Sequence, residues 1–210
     1  MTSRTPCRKL ALLQLPLAKD MTQQLNHRQI AWRVAQDLPQ GTHVLLGGGM
    51  PQLVPGYVAD RGGIVFESDE RMRETRARGE PYDARIFDYY VVGAREVSQA
   101  GDLVEHAAAG QDASAAKSFV HTGIPRVLVM AEYFAPDGRP TLVPQCSRQP
   151  GCARCVTTLY TDLAILDLRE GKAWLREIVE GITLHVLQAE TDVPLHVAPG
   201  LRLLHAPDLR

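Results

Sequence analysis

The chain has 210 residues, of which 45% are hydrophobic and 22% charged, with a formal net charge of −1. This is the composition of a globular protein of ordinary domain size with a real core. The balanced charge gives no basic footprint for nucleic acid or an anionic membrane, and no apolar run approaches the ~20 residues needed to span a bilayer.

The first twenty residues resemble a signal peptide only on the surface. Arg4, Arg8 and Lys9 precede Leu10-Ala11-Leu12-Leu13, but Gln14 and Pro16 break the apolar stretch, and Lys19-Asp20 stand where small residues would mark cleavage. Residues 1–20 are therefore expected as a disordered extension ahead of a start at Met21. Residues 21–210 are expected as a single domain of a cytoplasmic protein.

Asn26 suits an N-cap, with Ile30, Val34 and Leu38 on one face of a helix that Pro39-Gln40-Gly41 stops. His43 to Leu46 is a short apolar strand running into Gly47-Gly48-Gly49-Met50-Pro51, and a second helix is expected from Pro51. Ile64-Val65-Phe66 is the next strand, ending in Glu67-Ser68-Asp69-Glu70. The arginine-rich segment from Arg71 to Arg85 reads as a solvated loop, or as a clamp for an anionic group through Arg71, Arg73, Arg76 and Arg78.

Phe87 to Val92 reads as a buried strand, Ala94 to His106 as a hairpin turning at Gln99-Ala100-Gly101-Asp102, and Arg126 to Ala131 as another buried strand. Pro136-Asp137-Gly138-Arg139 is a turn. Leu163 to Leu168 is a strand that Arg169-Glu170-Gly171-Lys172 turns toward Ala173-Trp174-Leu175, and Thr183 caps a short helix through Ala189. Continuous apolar strands alternating with helices predict an α/β fold, a mostly parallel central sheet with helices on both faces.

Cys146, Cys152 and Cys155 cluster, and the C-x2-C pair is half of a zinc motif. No histidine or further cysteine lies within ten residues on either side, so free buried thiols are expected and no metal. His106 and His121 read as surface or hydrogen-bonded core histidines.

Several stretches, taken in order, resemble the B subunit of the family I coenzyme A transferases, of the 3-oxoacid CoA-transferase type. They are Ala31-Trp32-Arg33-Val34-Ala35, Leu46 to Val54, the strand ending at Ser68, Tyr89 to Ala94 with Val97 and Gly101-Asp102-Leu103, Arg126 to Met130, Asp137-Gly138, Thr161 to Leu166, and Gly181-Ile182-Thr183. The resemblance implies an acyl substrate, coenzyme A as a substrate with no permanently bound cofactor, and an α-subunit partner in a heterodimer or heterotetramer. It also implies a B-subunit glutamate in a Ser-Glu-Asn-Gly setting. That glutamate attacks an acyl-CoA thioester, forms a mixed anhydride and then carries CoA as a thioester.

Here the corresponding run is Ser68-Asp69-Glu70-Arg71, so Asp69 stands at the nucleophile position, one methylene short. Strand alternation would set Glu67 on the face of Asp69, and paired carboxylates in a cleft raise one pKa. A one-residue bulge near Ser68 would present Glu70 instead. The resemblance gives the backbone N–H groups of Gly47, Gly48 and Gly49 the role of oxyanion donors, with Ser68 beside them. The changed motif leaves open two other chemistries: hydrolysis or ring-opening of a CoA ester, or proton abstraction by the carboxylate cluster. A non-catalytic subunit that stabilises its partner is the third possibility.

Overall fold

The computed structural model describes residues 24–58, 62–80, 83–106 and 123–209. The extension expected over 1–20, the start at Met21, and His121 lie outside the described residues.

The first helix, α1 (His27–Asp37), begins as its sequence dictates. The Asn26 side chain accepts the Gln29 N–H at 2.9 Å, and the Gln29 side chain accepts the Asn26 N–H at 2.9 Å, a reciprocal capping box. Eleven strands follow or interleave among the described residues: β1 (His43–Leu46), β2 (Val65–Ser68), β3 (Tyr89–Gly93), β4 (Glu96–Ser98), β5 (Leu103–Val104), β6 (Arg126–Met130), β7 (Leu142–Val143), β8 (Val156–Tyr160), β9 (Ala164–Arg169), β10 (Lys172–Val179) and β11 (Leu195–Leu204). Eight of them form one sheet in the order β11-β10-β9-β8-β6-β3-β1-β2. From β2 to β8 every pairing is parallel, whereas β8, β9 and β10 run as an antiparallel meander.

Both faces of the sheet are buried, which explains the unbroken apolar strands. Val44, Leu46, Val91, Leu128 and Met130 share one face with the apolar residues of α1. Leu45, Tyr90, Val92, Val127 and Val129 point the other way. That second face carries short helices, as expected, and a small sheet besides. It packs against Leu103 and Leu142 of a small three-stranded sheet (β5-β4-β7), together with Met72 and Leu187 from two short helices. One of these, α3 (Leu184–Ala189), has the Thr183 cap read from the sequence.

Other elements differ from expectation. The helix at Pro51 is a 3-10 helix (Met50–Tyr57), consistent with two prolines, Pro51 and Pro55, that lack N–H donors. The arginine-rich segment is not a loop at its start but a helix, α2 (Asp69–Ala77). Ser68 Oγ accepts the Glu70 N–H at 3.3 Å, two acids fill the first turn, and Arg73 pairs with Asp69 four residues back. A disulfide joins Cys152 and Cys155, so the free-thiol expectation holds for Cys146 alone among these three. Burial pushes the Cys146 thiol up to about 11.

No described helix is long and apolar enough to cross a membrane, and no group of three or more His, Cys, Asp or Glu residues suited to a metal occurs among the described residues.

Candidate active site

The carboxyl ends of β1, β2, β3 and β6 open onto a cleft of about 830 Å³, where ligands of open α/β sheets commonly sit. Each strand delivers its next residues into it: Gly48 and Gly49 after β1, Ser68, Asp69 and Glu70 after β2, Gly93 and Ala94 at the end of β3, and Met130 and Ala131 from β6.

Asp69 is the buried charge of this cleft, 4% exposed. β2 stops at Ser68 and α2 starts at Asp69, so its carboxylate sits in the first turn of a helix rather than on a strand face. Neither strand alternation nor a bulge governs it. One oxygen, Oδ2, accepts the Tyr90 hydroxyl at 2.9 Å and an Arg73 N–H at 2.9 Å. The other, Oδ1, has no hydrogen bond among the described residues. Arg73 also reaches Glu105, at 3.3 Å, so two carboxylates share one guanidinium.

The electrostatics follow from that ratio. Burial raises the Asp69 pKa above its ordinary value, with Glu105 adding to the rise, while Arg73 and the Tyr90 hydroxyl pull against it. Burial, Glu105 and Asp69 together hold Tyr90 well above the ordinary phenol value, so it stays a donor. For Arg73, burial opposes the charge, but Asp69 and Glu105 outweigh it.

The expected site residues divide. Asp69, Glu70, Ser68, Gly48 and Gly49 line the cleft. Glu67, a half-buried residue of β2, does not, and the second carboxylate beside Asp69 is Glu105. The Gly47 N–H is already donated to the Val91 carbonyl at 2.8 Å, so it cannot serve an oxyanion. Gly47 is glycine for close packing: a Cβ there would lie 3.2 Å from Val92 Cγ2. Gly49 has φ +80°, which only glycine adopts freely, and this bend sets the direction of the turn. Glu70 is exposed at the cleft wall.

Tyr90 and Glu105 were not expected at the site, and Arg73, expected in a solvated loop or as an anion clamp, instead pairs with Asp69 and Glu105. Only Tyr90 carried a signal: a hydroxyl in the middle of a fully buried strand needs a partner.

No family model matches the chain. Among curated proteins, the B subunit of the 3-oxoadipate CoA-transferase of Pseudomonas putida is 30% identical over 211 residues, covering 83% of this chain and 98% of that one. The beta subunit of the acetate CoA-transferase of Escherichia coli K12 is 27% identical, covering 83% and 95%. Among solved structures, the decarboxylase AibA/AibB aligns at TM-score 0.61 and 16% identity, over 87% of this chain and 89% of that one. An acyl-CoA transferase of Escherichia coli O157:H7 aligns at TM-score 0.63 and 12% identity, over 86% of this chain and 43% of that longer one. These two likenesses are of fold.

Proposed function

Because this chain belongs to the coenzyme A transferase family, as a relative of its B subunits, we propose that it is the B half of a two-subunit enzyme that moves CoA between carboxylic acids, with Asp69 as the carboxylate that carries the acyl group and then CoA. The observation that carries this reading is the asymmetric anchoring of Asp69: Oδ2 is held by Tyr90 and Arg73, and Oδ1 is left to react.

In the proposed sequence Oδ1 attacks the thioester carbonyl carbon, and the CoA thiolate leaves, giving an aspartyl-acyl anhydride. The thiolate then attacks the Asp69 carbonyl carbon and expels the carboxylic acid as its anion, leaving an aspartyl-CoA thioester. An acceptor carboxylate repeats the two steps in reverse and departs as its CoA ester. The N–H groups of Gly48 and Gly49, which donate no hydrogen bond among the described residues, suit the oxyanion formed in the first step. The Tyr90 and Arg73 hydrogen bonds keep a buried carboxylate ionised enough to attack.

The partner is an α-subunit of the same family, and the site lies in the cytoplasm in this reading. Val197, Leu201 and Leu203 leave exposed apolar area on the edge strand β11, a surface that suits a contact with that partner. The test is thioester exchange by the complex co-expressed with its α-subunit: Asp69→Asn loses activity by on the order of 10⁴-fold or more, whereas Glu70→Gln retains most of it.

A second reading has one observation in its favour. Burial raises the Asp69 pKa, and the carboxylate is hydrogen-bonded to a phenol, an arrangement that also suits proton transfer at a CoA ester without a covalent intermediate. Turnover with no enzyme-bound thioester would favour it.

A further inference from the structure

The turn Gly151-Cys152-Ala153-Arg154-Cys155 leads into β8 and lies against the β4–β5 hairpin. The Leu103 N–H donates to the Cys152 carbonyl at 2.8 Å, and the Gly151 N–H donates back to the Leu103 carbonyl at 2.9 Å. The Val156 N–H donates to the Gly101 carbonyl at 3.0 Å, and the Arg154 N–H to Asp102 Oδ1 at 3.0 Å. Gly101 sits so close that a Cβ there would lie 2.9 Å from the Val156 carbonyl oxygen. Two residues past Leu103 the chain delivers Glu105 to Arg73, the guanidinium that also holds Asp69.

The Cys152–Cys155 disulfide closes this turn, with the two Cα atoms 6.0 Å apart. It is not a staple of the fold, which has an apolar core on each face of its main sheet, and so short a ring removes little entropy from the unfolded chain. The C-x2-C spacing is that of readily exchanging dithiols, in which the second thiol resolves any mixed disulfide formed on the first. Both cysteine side chains are half-buried, and Ala153 and Arg154 between them are exposed, so a small thiol can reach the bridge. Arg154 takes the left-handed backbone at φ +52°, uncommon for a residue with a side chain, and ring closure and the Asp102 bond hold it there. Cys146 stands apart: its thiol faces the Asp102 carbonyl at 3.7 Å, and burial keeps it protonated and a poor nucleophile.

We propose that Cys152 and Cys155 are an exchange site for low-molecular-weight thiols and disulfides, and that the bridged form clamps the β4–β5 hairpin and so fixes Glu105. A small thiolate attacks one sulfur, breaks the Cys152–Cys155 bond and forms a mixed disulfide. A second thiolate releases the small-molecule disulfide. The protein sulfurs take up two electrons and two protons, and two small thiols are oxidised to one disulfide. With the ring open, Arg154 can return to an ordinary φ, which withdraws its N–H from Asp102 and loosens the turn on Leu103. The exchange chemistry is independent of what the cleft turns over.

Trypsin gives the readout, because Arg148 and Arg154 bound a peptide holding Cys152 and the next peptide begins at Cys155. The complex with its α-subunit is treated with dithiothreitol or with oxidised glutathione, its free thiols are alkylated, and it is digested. The two peptides run joined after oxidation, and separate and alkylated after reduction. Hydrogen exchange at the Leu103 and Val156 N–H groups is about 10-fold faster in the reduced form. Once the reductant is removed, thioester exchange by the reduced complex is lower by roughly 10-fold and recovers on reoxidation. Cys152→Ser keeps the reduced-form values under both treatments, whereas Cys146→Ser still responds.

A bridge that dithiothreitol cannot open in the native complex, or a pair that oxidised glutathione cannot close again, overturns the site. Equal hydrogen exchange in the two states, or equal rates in an active complex, overturns the clamp. If neither state exchanges thioesters, the transfer reading fails, while the thiol mapping and hydrogen exchange still decide this inference.

Discussion

Tyr90, wholly buried in the middle of β3, donates its hydroxyl to Asp69 at 2.9 Å across the floor of the cleft. The carboxylate is thereby oriented by the rigid sheet and not only by the short helix that carries it. A group held this way keeps its reacting oxygen in place, which is where misplacement of ~1 Å costs about 100-fold.

Tyr90→Phe therefore moves the pH dependence and not just the rate. The hydroxyl favours the ionised carboxylate, so its loss raises the Asp69 pKa further. The acid limb of kcat/KM shifts to higher pH by on the order of one unit, the size expected for a hydrogen bond to a charged group. A pH–rate profile of the variant checks this; an unmoved limb would separate Asp69 from the titration.

Asp69→Asn divides activity from stability. A carboxylate whose pKa is raised by folding adds stability only below its unfolded value, and that stability is lost as pH rises through the folded value. At pH 7 the charge opposes folding, so the amide should melt no lower than the wild type while transfer disappears. Thermal melts at pH 7 and pH 4 check it, with the variant's advantage narrowing at the lower pH.

Gly49→Ala tests the glycine turn. Nothing lies within 4 Å of the new Cβ, so the penalty is backbone strain alone, at φ +80° and ψ −129°, about 1–3 kcal/mol. Turnover should fall by more than that stability change implies, because the turn aims the Gly48 and Gly49 N–H groups. Equal effects on melting and activity would remove the oxyanion role.

The far side of α1 predicts acid sensitivity. Arg33 grips Glu177 through Nε at 2.9 Å and its terminal nitrogen at 2.7 Å, and it also pairs with Asp37 at 2.7 Å. Burial opposes both charges, but these bonds outweigh it and depress Glu177 and Asp37 below their ordinary 4.5 and 3.8. Their contribution is present above those values and is lost as pH falls below about 4.5, so melting temperature drops there. Glu177→Ala should cost about 3–5 kcal/mol at neutral pH, and Arg33→Met combined with Glu177→Leu should recover most of it.

Much of this was legible in the chain, for identifiable reasons. The Asn26 and Thr183 caps and the apolar runs of β1, β3, β6 and β9 follow from local chemistry, and the ordered pieces carried the family. β8 was missed because Val156-Thr157-Thr158 mixes polar residues into a strand. β11 was missed because Pro199 and Gly200 interrupt it, which an edge strand tolerates. α2 was read as a loop because it has no apolar stripe; Met72 anchors it to the core, and its cap and acid–arginine spacing hold the rest. That misreading put Glu67 beside Asp69, whereas the true neighbours, Tyr90 and Glu105, arrive from β3 and just beyond β5. Contacts between residues so far apart in the chain leave no trace in local pattern.

The most direct test of the Asp69 assignment is to trap the intermediate. The complex with its α-subunit is mixed with an acyl-CoA in the absence of acceptor, reduced with borohydride, digested, and the peptide spanning Ser68 to Arg73 is sequenced by mass spectrometry. The account predicts reduction of the Asp69 side chain to the alcohol of a homoserine residue, abolished in Asp69→Asn. Reduction at Glu70, or full turnover with neither residue modified, would contradict it.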